Sequence, residues 1–181
     1  LAKYSVAATA LLGGMAKVAI DFESAFANVQ KTMSDDVTPQ KLDEIKKGII
    51  DLSKEMPLSA SAIAEVTANA SQMGVAADDV LEFSQVMIKM GVATDLNADR
   101  AATAMARFNK VMGHETHDSV DRLGSAIVEM GNNFETTENE IMEMAMRLAA
   151  ASTQAGMSRE EVVALSTSLT SMGISAEAGG T

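Results

Sequence analysis

The chain has 181 residues, a formal charge of −11, 14 Met, five Phe, one Tyr and neither Cys nor Trp. Without cysteine there are no disulfide scaffolds, thiolate zinc sites, Cys nucleophiles or thiol redox centres. The acidic balance repels phosphate, and so few aromatics offer little for bases to stack on, which argues against sequence-specific nucleic-acid binding.

The first element is a long helix. Tyr4, Ala8, Leu11, Met15, Val18, Phe22, Ala25 and Val29 step by alternating fours and threes, forming a heptad seam weakened at Gly13-Gly14. Such a stripe serves either as the buried face of a core helix or as a self-association surface in a parallel coiled coil; the candidate contact residues are Tyr4, Leu11, Met15, Val18, Phe22 and Val29. The uncharged run Tyr4–Ala16 falls short of the roughly 20 residues of a bilayer span. Lys3 and its alanine-rich flanks imitate a signal peptide weakly, but the helical periodicity continues past Lys17. Because the chain opens at Leu1 inside this helical pattern and stops shortly after another, it reads as a segment of something longer.

Beyond residue 35, glycine closes apolar-periodic segments at Gly74, Gly91, Gly113, Gly131, Gly156 and Gly173, and all but Gly156 follow a methionine. Glycine past a helix end adopts the left-handed conformation that satisfies the last carbonyls, and an apolar residue after it, such as Val75, Val92, Met157 or Ile174, suits a Schellman ending. Helix starts are marked by Thr38-Pro39, by the capping boxes Thr137–Glu140 and Ser158–Glu161, and by the cap candidates Ser59, Asn97 and Thr116. These signals predict about eight helices, near 3–33, 39–55, 60–73, 77–90, 98–112, 117–130, 138–155 and 159–172. No segment alternates like a strand. The fold class is all-α: an array of short helical hairpins over 38–181 preceded by a long helix over 1–34.

Within the array, residues 74–95 align without gaps on 156–177, with both flanking glycines, one Val, one Ser and the Met before the second glycine identical. The simplest account is an internal duplication of a helical unit.

Catalytic signals fail one after another. His114-Glu115-Thr116-His117 sets its histidines three apart rather than the four of a helical zinc motif and sits after Gly113; Asp118 and Asp121 complete a ligand set only on paper. Asp95-Leu96-Asn97-Ala98-Asp99 starts like a calcium loop, but Arg100 stands where glycine is required and Ala106 where a bidentate Glu is required, so it reads as a helix cap. The segment 159–172 lacks a basic recognition face. There is no phosphate-cradling glycine–lysine loop, and no Ser has a histidine at a suggestive spacing. Catalytic, cofactor and metal sites are therefore expected to be absent, and the chain is not expected to be an enzyme. Methionines at helical spacing, such as Met87 with Met90 and Met142 with Met146, read as core filler, with an adaptable binding groove as the other use of so many thioethers.

In order along the chain, Val18–Val29 with its Asp21-Phe22-Glu23, Ile50–Ser59 with Leu52-Ser53-Lys54-Glu55-Met56-Pro57, Gly91-Val92-Ala93, Met130-Gly131-Asn132-Asn133 and Gly173-Ile174-Ser175-Ala176-Glu177 resemble the core region of phage tail tape measure proteins. Singly these are helix caps; their order from about residue 15 onward is the specific part. The resemblance implies a structural protein without an active site that acts in tail assembly and tail-length determination. It would occupy the tail lumen, pass through the bacterial cytoplasm during assembly and contact tail-tube and tail-assembly proteins, with the stripe of the N-terminal helix as the surface for a homo-oligomer if it is not a core face. As one extended helix, 181 residues reach only about 270 Å, at roughly 1.5 Å each, and the glycine punctuation opposes that extension. A compact helical domain of such a protein is the expectation, and a helical protein-binding module, an adaptor or secreted effector, is the alternative.

The histidine turn yields the first prediction. Changing His114 and His117 together to Ala leaves thermal stability within about 0.5 kcal/mol of the parent, as exposed substitutions usually do. Calorimetry checks this, and stoichiometric zinc bound by the parent chain and lost in the variant contradicts it.

Overall fold

The computed structural model describes residues 2–94, 96–113 and 117–179, and side-chain surroundings for 17–94, 96–113 and 120–177. Its elements are α1 (Ala2–Thr32), α2 (Pro39–Glu55), α3 (Ala60–Gln72), α4 (Val80–Ala93), α5 (Ala98–Met112), α6 (His117–Asn133), α7 (Glu138–Gln154), α8 (Arg159–Ser171) and the single turn α9 (Ala176–Gly179). Among the described residues there is no strand, so the chain is all-α as expected. No described helix is long and apolar enough to cross a membrane.

Most helix starts lie where short polar side chains satisfy orphan amides. Thr38 accepts from the Lys41 amide at 3.2 Å ahead of Pro39, and Ser59 accepts from Ala62 at 3.2 Å. Asn97 accepts from Asp99 at 2.8 Å. Two reciprocal boxes form: the Thr137 and Ser158 amides donate to Glu140 and Glu161 at 2.9 and 2.8 Å, while the Glu140 and Glu161 amides donate back to the hydroxyls. Each such cap is worth about 1 kcal/mol. The start of α4 is an exception to the sequence reading. Ala77–Asp79 form a turn closed by the Asp79 amide on the Ala76 carbonyl, and the helix begins three residues later than expected, at Val80.

Four of the six glycines end helices as expected: Gly74, Gly113, Gly156 and Gly173 all have positive φ. After Gly74, Gly156 and Gly173 the next residue donates to a carbonyl five positions back, Val75 to Ala70, Met157 to Ser152 and Ile174 to Leu169, which is the Schellman pattern. The other two expectations are overturned. Gly91 and Gly131 lie inside α4 and α6, which run on to Ala93 and Asn133. Polar side chains finish these helices instead: the Thr94 hydroxyl donates to the Met90 carbonyl at 2.8 Å and the Asn133 amide group to the Glu129 carbonyl at 2.7 Å. Val92 is accordingly exposed on the helix rather than tucked into a Schellman contact.

What Gly91 and Gly131 provide is room. A Cβ on Gly91 would lie 2.8 Å from the Ala98 amide nitrogen, where α5 begins, and one on Gly131 would lie 2.5 Å from the Glu138 carboxyl carbon, where α7 begins. At each site the first residue of the next helix is folded back against the last turns of the one before.

The helices pack in two rows. In one, α1 lies on α3, α3 on α5, α5 on α7 and α7 on α9; in the other, α2 lies on α4, α4 on α6 and α6 on α8. The rows meet through pairs such as α3 with α4 and α7 with α8. The shared core is filled by Ile45, Ile49, Ile63, Met87, Ile88, Met105, Phe108, Leu123, Ile127 and Ile141, all fully buried. Met87, Met90 and Met142 are buried and Met146 packs on the core edge, so these methionines are filler where aromatics are scarce. Arg159, the first residue of α8, is buried too. Its guanidinium donates to Asn109 Oδ1 at 3.0 Å and to the Gly113 carbonyl, placing a cation at the C-terminal end of α5, where the helix dipole favours it.

The two interior glycines make opposite predictions from similar sequence. Gly91→Ala gains helix propensity of up to about 1 kcal/mol, but its methyl meets backbone that cannot retreat, for a net loss in the range of about 1–2 kcal/mol. Gly131→Ala meets only the movable end of the Glu138 side chain and stays neutral or gains up to about 1 kcal/mol. Urea midpoints of the two variants check this, and a Gly91→Ala chain more stable than the parent contradicts it.

Candidate interaction surfaces

Among the described residues no three His, Asp or Glu side chains are grouped to hold a metal ion. The His114–Thr116 turn, the His117 and Asp118 side chains and Asp95 lie outside the described residues. Of the calcium-like segment, Asn97 caps α5, Asp99 Oδ1 accepts from Asn69 at 3.1 Å, and Arg100 is exposed, so these side chains serve helix geometry.

The heptad stripe of α1 divides between two environments. At its C-terminal end, Phe22, Ala25 and Val29 are buried against the chain's own core, with Val29 fully enclosed. This half packs chiefly on α3, and the Ser71 hydroxyl of α3 donates to the Thr32 carbonyl at 2.9 Å to hold the helix end. Lys46 of α2 adds a second tie, pairing with Glu23 at 2.6 Å while its ammonium lies 5.9 and 5.4 Å from the Phe22 and Phe26 ring centres. Val18, one step earlier on the stripe, is 67% exposed, as is Ile20 beside it. Tyr4, Leu11 and Met15 continue the helix, and their side-chain surroundings lie outside the described residues.

Recesses lie elsewhere on the body, away from this stripe. A cavity of about 290 Å³ lies under the α3–α4 turn, between Phe83, Ala106 and Val120, with Asp79, Asn109 and Lys110 at its rim. A wider groove of about 680 Å³ runs between α5 and α7, where Arg100, Arg107 and Arg147 alternate with Asp99, Glu143 and Glu177 over a floor of Leu96, Met142 and Met146. The mixed charge of this groove gives it no preference for an anion or a cation. Ion pairs elsewhere are on the surface. Asp78 holds the Lys41 ammonium above the usual lysine range through a 2.7 Å contact, and Lys54 holds the Asp51 carboxyl below the usual range. Pairs as exposed as these contribute little to stability.

Sequence reasoning missed the exposed apolar side chains Phe134, Leu165 and Met172, which are 57%, 38% and 68% accessible. Met172 carried the same Met-Gly signal as the buried Met90, and only the neighbouring helices distinguish the two.

Comparison with known proteins bears on what such surfaces serve. The chain is 27% identical over 176 residues to a protein described as a probable tape measure protein of Halomonas phage phiHAP-1; the match covers 90% of this chain and 20% of that protein. The chain thus spans about a fifth of the length of this relative. No solved structure matches. Residues 46–181, well over half of the sequence, match the family of phage-related minor tail proteins. The chain belongs to that family, and its helices are those of a structural component of a phage tail.

Proposed function

We propose that this chain is a segment of a tail tape measure protein, acting in phage tail assembly and in setting tail length. The observation that carries the reading is the 27% identity to a probable tape measure protein, sustained over 90% of the chain rather than confined to one motif. Family membership supports a role in the tail; the lumen of the tail tube, and the host cytoplasm during assembly, are the locations this reading adds. Tail-tube and assembly proteins are the partners, and no chemical step is assigned to any residue.

In this reading the two parts of the chain divide the work. Residues 38–181, with the internal duplication of 74–95 and 156–177, form the helical body, and the helix within 1–34 links copies or partners. A helix of 31 residues spans about 46 Å at roughly 1.5 Å per residue. Its C-terminal half is committed to the body by Phe22 and Val29, and the half carrying Tyr4, Leu11, Met15 and Val18 supplies the contact. Gly13-Gly14 and the small Ala8 weaken that contact in isolation, so several copies aligned by the tail are needed to engage it.

The test separates body from stripe. The chain carrying Leu11→Glu and Val18→Glu keeps its circular dichroism and its thermal midpoint within a few degrees, because Val18 is exposed and, among the described residues of the stripe, Phe22 is the first that is buried. Phage producing a tape measure protein with the same two changes yields few or no normal tails by electron microscopy. Loss of the whole fold assigns the stripe to the core, and tails of normal number and length contradict the assembly role.

A further inference from the structure

The aligned segments 74–95 and 156–177 share one set of buried positions and differ along the flank beside it. Val80 and Val162 occupy matching positions and both are fully buried. Ser84 and Ser166, four residues on, are fully buried as well, and each hydroxyl donates to the carbonyl of that valine at 2.7 Å. Helices α4 and α8 therefore seat against the body in the same way.

One flank of the two helices does not match. On α4, Phe83, Val86, Met87 and Met90 are between 0% and 4% exposed, and α6 lies in contact with this helix. Gly124 marks a close approach of the two, since a Cβ there would stand 3.1 Å from both the Val86 Cγ1 and the Met90 Sδ. The corresponding residues of α8 are Leu165, Ser168, Leu169 and Met172. Leu165 is 38% and Met172 68% exposed, Leu169 is half-buried and Ser168 is exposed. They form an apolar stripe at helical spacing on the last helix of the row α2, α4, α6, α8, at the place where that row's own stacking interface would repeat.

We propose that this face of α8, made by Leu165, Leu169 and Met172, is a docking site for an amphipathic helix of the α6 kind. The occupant is defined by the chemistry of the equivalent contact. It carries apolar residues comparable to Val120 and Val128 of α6, which line recesses beside Phe83 and beside Val86 and Met90, and a glycine or alanine where Gly124 crosses α4. Ser168 in place of Val86 leaves slightly more room at the crossing, so alanine is accepted there as well as glycine. Glu161, exposed in the first turn of α8 four residues before Leu165, favours a basic residue on the part of the docked helix that passes over it. The site goes beyond the tape measure reading and does not depend on the α1 stripe.

The probe is a peptide of residues 117–133 held helical by a side-chain lactam on its polar face, titrated into the intact chain labelled with 13C at its methionine methyls. The expected result is a saturable shift of the Met172 resonance at millimolar peptide or below, abolished in the chain carrying Leu165→Glu, whose circular dichroism is unchanged because that side chain is already accessible. An unmoved Met172 resonance with a helical peptide overturns the proposal. A Met172 shift that depends on chain concentration without peptide assigns the face to a second copy and overturns it equally.

Discussion

Helices of 13 to 17 residues, such as α2 to α8, are too short to be stable alone in water, and each must bury one face against others. In this chain the burial comes from stacking each helix both on the one two places along and on sequence neighbours in the other row, so that two rows share one core. That arrangement requires the backbone to reverse within a few residues at every junction. The positive-φ glycines with their Schellman bonds, the capping boxes and the close approaches at Gly91 and Gly131 meet that requirement. The core packing, the position of α1 and the exposed surfaces all follow from where the helices stop.

The helix boundaries were legible because their causes are local. Thr38-Pro39, Thr137 with Glu140 and Ser158 with Glu161 act within one turn, and the sequence states them outright. Gly91 and Gly131 were misread for a physical reason: an isolated Met-Gly pair looks the same whether glycine supplies a left-handed turn or space for the first residue of the next helix. Deciding between the two depends on the packing of Ala98 and Glu138, which periodicity does not encode. Likewise, an apolar stripe says which face is sticky without saying what it sticks to. The seam from Tyr4 to Val29 is one pattern in sequence, yet Val29 is enclosed and Val18 is open.

The candidate surfaces were legible to a smaller degree still. Composition removed thiol chemistry, and spacing argued against the metal motifs, but the exposed Leu165 and Met172 became visible only when α8 was set beside α4. Arg159 shows the same limit from the opposite direction. Its place at the start of a helix suggests a solvated charge, whereas its guanidinium is buried on the end of α5, more than forty residues earlier in the chain. For a tail structural protein this distribution is coherent: what the described residues build is contact between helices.

That this chain is a helical structural component of the tail is open to direct test by quantitative mass spectrometry of purified intact tails from the phage that encodes it. Peptides from residues 17–177 are expected in the tail fraction at a fixed ratio to the tube protein from one preparation to the next. Their absence from intact tails, or a ratio that varies freely between preparations, contradicts it.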